Sequence, residues 1–345
     1  MDIALNYQSH RRFGVELELN TLNGVIVKLK ENKKENPFGA DKVACIINRT
    51  TKKPVEIHGW SMTHNNNFWV VKPDSSCGIE VCSPVVKGWE GLSSIMRVAK
   101  AFADNDIRAD KRCSLHVHVN IADLTKTQLA TVMAYYIKCE HIIFDSLPEN
   151  RKNNKYCQFI GNTDLFSTDF DMNIENIIYF LSLSKYNSIN AFHFMNGGGF
   201  EIKNNTRKTI EFRVAESDAC LDPFFIKNWV RFLIHFVEMT KNLPYPKRYK
   251  AGCDKWSGLL WLDPIDMFKI LKFDMPLSKG LKQVRNWFLL RYLKNCNSIN
   301  NCSIFSNSAR IEAKNEMLEI AKINLNSDDS FNFEDYVVFG NNYII

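Results

Sequence analysis

Three short segments each place two chemically potent side chains two residues apart: Glu16 and Glu18, His116 and His118, Glu211 and Arg213. In an extended strand, residues i and i+2 point to one face, so each pair projects together while Leu17, Val117 and Phe212 point the other way. One such pair alone is what a half-exposed strand shows on its solvent side. The three together differ, because solvent faces are commonly filled by Thr, Ser, Lys and mixed charge, and this set is three glutamates, two histidines and an arginine. On neighbouring strands these carboxylates would repel one another, and a divalent cation is the natural compensation. An oxygen-rich donor set with few thiolates suits Mg²⁺ or Mn²⁺ better than Zn²⁺. Asp74, in the turn-forming run Pro73-Asp74-Ser75-Ser76, and Glu80 beyond it are two further acids that fit the set. Cys77, Cys82, Cys113 and His116 could supply four softer ligands, but the C-x-x-C pairs characteristic of zinc sites are missing.

The standard phosphate cradles are missing too. There is no G-x-x-x-x-G-K-[ST] loop, no G-x-G-x-x-G after a strand and no G-x-S-x-G elbow. A phosphate would therefore rest on cations and on basic side chains, for which Arg151 in the run Arg151-Lys152-Asn153-Asn154-Lys155-Tyr156 and Arg207 in the stretch 203–208 are the candidates.

The elements that must position these groups follow from hydrophobic period. Residues 12–19 alternate apolar and acidic side chains, the mark of a strand with two different faces. Strands are also expected over 68–72, 78–82, 113–120 and 208–215, with a strand-like run at 43–47 and an extended one at 191–195. Helical spacing covers about 89–103, a long helix capped by Asp123 and ending near 144, and the stretches 173–183 and 223–239. Interspersed elements with alternating strands predict an α+β fold, an antiparallel sheet with helices on one face. The prolines of Leu243-Pro244-Tyr245-Pro246 mark a boundary, beyond which the pattern is mostly helical. This divides the chain into a catalytic region, 1–242, and a helical extension, 243–345.

Composition limits the function classes. At 345 residues, 45% hydrophobic and 24% charged, the chain can bury a sizeable core, which argues against disorder. A net charge of +6 permits an anionic ligand, but a nucleic-acid binder would show a denser basic stripe. No apolar leader and no run of roughly 18 apolar residues is present, so the expectation is a cytoplasmic protein with no membrane span and ten reduced cysteines.

Five ordered motifs carry a resemblance. Phe13-Gly14-Val15-Glu16-Leu17-Glu18 is followed by Trp69-Val70-Val71-Lys72-Pro73-Asp74-Ser75-Ser76 with Gly78-Ile79-Glu80-Val81-Cys82-Ser83-Pro84. Then come Cys113-Ser114-Leu115-His116-Val117-His118-Val119, Lys185-Tyr186 with Asn190, and Thr209-Ile210-Glu211-Phe212-Arg213. Over about residues 11–240 the series resembles the amidoligase family, which is related to glutamate–cysteine ligase and more distantly to glutamine synthetase. The resemblance implies a curved antiparallel sheet whose concave face holds ATP and two or three Mg²⁺ ions, with Mn²⁺ as a substitute. It assigns Glu18, Asp74 and Glu80 to one metal, and Glu16, His116 and Glu211 to another nearer the nucleotide phosphates. His118 and Arg213 would meet the transferred phosphoryl, and Lys185, Tyr186 and Asn190 would contact substrate or nucleotide. The family usually has Arg where Lys185 stands, which replaces a bidentate contact by a single charge contact.

The implied activity is ATP-dependent joining of a small-molecule or peptide carboxylate to an amine through an acyl phosphate. A phosphotransferase on the same sheet and a catalytically inactive binding module are the alternatives. No thiolate has a role in this reading.

Overall fold

The computed structural model describes residues 10–20, 39–59, 67–152, 154–160, 173–191, 208–246, 262, 264–295, 315–316 and 319–320. Among these, eight strands form one open sheet: β1 (Arg12–Asn20), β2 (Val55–Ile57), β3 (Trp69–Asp74), β4 (Gly78–Cys82), β5 (Val86–Lys87), β6 (Leu115–Asn120), β7 (Ile189–Asn190) and β8 (Thr209–Phe212). Their order is β2-β3-β4-β1-β6-β8-β7, with β5 paired to β1. The helices are α1 (Ala40–Thr51), α2 (Gly88–Asp104), α3 (Lys126–Asp145), α4 (Glu149–Lys152), α5 (Ile174–Leu183), α6 (Pro223–Thr240), α7 (Pro264–Ile270) and α8 (Lys279–Asn295). The fold is α+β.

Strand β1 runs through the middle of the sheet. Phe13, Val15, Leu17 and Leu19 are buried on one of its faces, each side chain worth about 1.5–3 kcal/mol when removed from water. The residues between them, Gly14, Glu16 and Glu18, point to the other face. β4 and β6 flank β1 antiparallel, pairing Glu18 with Glu80 and Glu16 with both Cys82 and His116. β8 continues the sheet with His118 opposite Glu211, and β3 places Lys72 opposite Glu80.

Three local expectations are corrected. The edge pair β2–β3 is parallel, so the sheet is mixed; strand direction is set by the connection between strands, which their residue pattern does not encode. The apolar run at 43–47 is helical, inside α1, where Ala40, Val43, Ala44 and Ile47 are buried at three- and four-residue spacing and Cys45 is exposed. A short apolar run is compatible with either element until its flanks are counted. The long helix is capped by Thr125, whose hydroxyl accepts from Gln128 N while the Gln128 side chain accepts from Thr125 N. Asp123 instead forms a bidentate ion pair with Arg11 at 2.7 and 2.9 Å. Of the extended run at 191–195, only residue 191 lies within the described residues.

The chain divides into two compact units. One comprises Met1–Leu124, Lys155–Cys157 and Tyr179–Ile234, and contains all eight strands with α1 and α2. The other comprises Thr125–Asn154, Gln158–Ile178 and His235–Ile345. Within it Tyr136 meets Phe236 edge-on at 5.9 Å, and His235 stacks on Phe273 while its Nε2–H donates to the Leu271 carbonyl at 2.7 Å. No helix among the described residues is long and apolar enough to cross a membrane.

In the strand-bearing unit, α2 follows directly on β5, and Gly91 is where they touch. A Cβ there would lie 2.5 Å from Val86 Cβ, a backbone-fixed atom that cannot swing away. Gly91→Ala should therefore destabilise the protein by about 1–2 kcal/mol, overpacking outweighing the roughly 1 kcal/mol that alanine gains in a helix. Urea unfolding is the check, and a variant as stable as the parent would show that this contact relaxes freely.

Candidate active site

The sheet register brings side chains from five strands onto one face of the strand-bearing unit. Glu16 and Glu18 come from β1, Lys72 and Asp74 from β3, Glu80 and Cys82 from β4, His116 and His118 from β6, and Glu211 from β8. Arg213 follows β8, and Asn190 on β7 stands opposite Glu211. Glu16, Glu18, Glu80, His116, His118, Asn190 and Glu211 are all buried.

The groups are close. His116 Nδ1 lies 3.2 Å from Glu16 and 3.4 Å from Glu211, and its Nε2 lies 3.4 Å from Glu18. His118 Nε2 is 3.2 Å from Glu16 and 4.0 Å from Glu211. Arg213 donates to Glu211 at 2.5 Å and, through Nε, to the Tyr156 carbonyl at 3.3 Å. Lys72 donates to Glu80 at 2.7 Å. Ser114 donates to Glu18 at 3.1 Å and lies 2.6 Å from His116 Nε2. Asp74 accepts from Ser76 N and Cys77 N, which fixes its carboxylate in the β3–β4 turn.

Charge crowding splits the acids into two classes. Burial acts to raise Glu211, but Arg213, His118 and His116 outweigh it and hold the carboxyl down at about 2. Glu16, likewise opposed by burial, is kept well below its ordinary range by His118 and His116. Burial and the neighbouring Glu16 push Glu80 up to about 7 despite Lys72. Burial, with Asp74 and Glu80, drives Glu18 well upward as well. Burial and Arg213 lower His116. The cluster therefore holds more carboxylate than it can ionise unaided.

Among the described residues, three sets of donor atoms converge to within 4.8 Å: Glu16, His118 and Glu211; Glu16, Glu80 and Cys82; Glu18, Asp74 and Cys77. Buried, largely carboxylate donors at that separation fit divalent cations. The first set contains His118 in the position that the sequence motif assigned to His116. The thiols of Cys77 and Cys82, weighed in the sequence only as zinc ligands, stand beside Asp74 and Glu80. The Cys113 contact, then burial, raises Cys77, and burial and Glu80 raise Cys82, so both are neutral thiols rather than thiolates. The i, i+2 rule applied backward from Asp74 and forward from Glu80 would have found Lys72 and Cys82 on this face.

Of the remaining candidates, Asn190 donates to Glu211 at 3.2 Å. Tyr186 meets Tyr156 edge-on at 5.7 Å, with Lys185 Nζ 5.2 Å from the Tyr186 ring and Lys155 Nζ 4.9 Å from the Tyr156 ring. Arg151 is buried in α4, in the second unit. Arg207 lies outside the described residues.

Glu80 makes the cation-free site pH-sensitive. Its folded value of about 7 exceeds the ordinary 4.5, so the stability it contributes is fully present below 4.5 and lost as pH rises through 7. Glu211, depressed to about 2, acts in the opposite sense and in a lower window. Between about pH 5 and pH 8 the metal-free protein should lose stability by up to about 3 kcal/mol from Glu80, and Glu80→Gln should flatten that slope. Denaturant midpoints across this range are the measurement; an unchanged slope in the variant would remove Glu80 as its source.

The family to which the sequence is matched accords with this chemistry. Residues 9–237 match the sequence profile of the family described as "Putative amidoligase enzyme". No curated protein matches the chain. Among solved structures, the complex between the prokaryotic ubiquitin-like protein Pup and its ligase PafA is similar at 11% identity and a TM-score of 0.34, over 95% of this chain and 66% of that one. With two thirds of its length matched, the chain belongs to the amidoligase family.

Proposed function

We propose that the protein is an ATP- and Mg²⁺-dependent carboxylate–amine ligase, with residues 1–242 as the catalytic region on a sheet of the glutamine synthetase and glutamate–cysteine ligase type and 243–345 as a helical extension. The observation that supports the reading is the convergence of Glu16, His118 and Glu211 within 4.8 Å, with Arg213 bonded to Glu211. Glu16, His116, His118 and Glu211 would hold one cation, and Glu18, Asp74 and Glu80 another. Divalent cations held there neutralise charge between two anions that must approach each other. The substrate carboxylate takes the γ-phosphoryl group: a P–O bond forms to its oxygen, ADP leaves, and the product is an acyl phosphate. An amine then attacks the acyl carbon, loses a proton and expels phosphate, leaving an amide or isopeptide bond. Arg213, oriented by Glu211 and by the Tyr156 carbonyl, stabilises charge on the phosphoryl in flight. Tyr156 and Tyr186, packed edge-on with Lys155 and Lys185 over their rings, offer aromatic contacts and two cations beside Arg213, which suits a nucleotide.

The deciding measurement is ADP release with pools of carboxylates and amines, followed by mass spectrometry of products. Release that depends on both pools and yields an amide is the expected result. Release that needs no amine would instead make the protein a phosphotransferase, and no release with any pool would make it a binding module. Two variants test the roles within the cluster. Glu211→Gln removes a charge that holds a cation and should weaken Mg·ATP binding together with turnover. Arg213→Lys keeps a charge but loses the planar fork, and should spare Mg·ATP binding while lowering turnover by about 10²-fold or more.

A further inference from the structure

The face that carries the acids changes sign along its strands. Continuing from Glu16 toward the start of β1, the next positions on the same face are Gly14 and Arg12, with His118 opposite Gly14 and Lys87 opposite Arg12. This end of the sheet opens into a cavity of about 970 Å³ that runs from Glu16 and His118 past Gly14 to α2. Arg12, Lys53, Lys87, Arg97 and Lys208 line it, and Glu90 is the only acid there besides Glu16. All five cations are exposed, and none forms an ion pair among the described residues. By contrast, the two cations within the acid cluster, Lys72 and Arg213, are each bonded to a glutamate.

We infer that this cavity holds the carboxylate substrate as an elongated polyanion, an acidic peptide segment whose reacting carboxylate reaches Glu16 and His118 while its further carboxylates lie over Arg12 and Lys87. The inference rests on the ligase reading for the identity of the reacting group. Its own support is threefold. Five uncompensated cations around one opening focus a positive potential on whatever enters, which recruits an anion. Glu16 and Arg12 are four residues apart on one strand, about 13 Å, a span that a single amino acid does not bridge and a short peptide does. Ligand cavities run from roughly 300 to 1,000 Å³, and this one is at the upper end, large for one amino acid. The aromatic and lysine surface for a nucleotide is at the other side of the cluster, beside Arg213, which leaves the cation-lined end for the substrate.

The test is binding to the full chain, which needs no turnover and so stands apart from the success of the ligase assay. Fluorescence anisotropy with labelled tetraglutamate, and calorimetry with free glutamate and with Mg·ATP, supply the three arms. Tetraglutamate should bind at least about tenfold more tightly than free glutamate and should weaken as salt screens the exposed charges. Arg12→Glu combined with Lys87→Glu should weaken tetraglutamate about tenfold or more while leaving Mg·ATP binding intact. Arg97→Glu, on the exposed side of α2, gives an independent reading if the strand variant fails to fold. Equal affinity for glutamate and tetraglutamate would overturn the inference, as would charge-reversed variants that bind the peptide like the parent. Variants that lose Mg·ATP and keep the peptide would assign the cavity to the nucleotide instead. If ADP release proves independent of an amine, the ligase reading fails by itself, whatever the peptide does.

Discussion

Strand β1 has a neighbour on each side, and its register with both is fixed by the same four side chains that fill the core. Phe13, Val15, Leu17 and Leu19 are buried, and a slip of one residue would turn all four to the acid face and drive Glu16 and Glu18 into the apolar interior. That penalty is far larger than the mutual repulsion of the carboxylates. The hydrophobic face thus holds the acids at a separation they would not choose. Because β4 and β6 are registered against β1, the placement of Glu80, Cys82, His116 and His118 follows from it, and Glu211 and Lys72 follow one strand further out.

What the face does with this crowding depends on where the counter-charges stand. His116, His118 and Arg213 cluster on the β6–β8 side, so Glu16 and Glu211 stay ionised. On the β3–β4 side Lys72 at Glu80 and Arg213 at Glu18 do not offset burial and neighbouring acids, and both carboxyls are driven toward their protonated forms. One half of the cluster is ready to receive a cation, and the other must release protons to do so.

Much of this was legible in residue spacing. Period two on residues 12–19 and 113–120 puts Glu16 with Glu18 and His116 with His118, because alternation on a half-buried strand leaves only one register for the apolar set. The strand neighbours were less legible, since pairing across about a hundred residues, as between β1 and β6, leaves no mark on either segment; the parallel direction of β2 was hidden because the connection to β3 sets it. The run at 43–47 misled because five apolar residues in a row satisfy either period, and Asp123 misled because its partner, Arg11, lies 112 residues away. Cys77 and Cys82 were judged by the absence of paired C-x-x-C spacing. The β3–β4 turn delivers Cys77 to Asp74 at 3.4 Å, and the i, i+2 alternation of β4 delivers Cys82 to Glu80 at 3.0 Å.

The strand order also sets a timetable. The central strand is made first, yet one flanking strand comes about sixty residues later, the other about a hundred later, and β8, with Glu211, nearly two hundred later. A chain emerging at roughly 5–20 residues per second spends about 5–20 s with its central strand lacking a full set of neighbours. Contacts of such long range are slow to form, because loop-closure entropy must be met before they repay it. Glu16, Glu18 and Glu80 crowd one another as soon as β4 pairs with β1, long before β8 is made. Arg213, which opposes that repulsion, reaches the cluster only when β8 docks with Glu211.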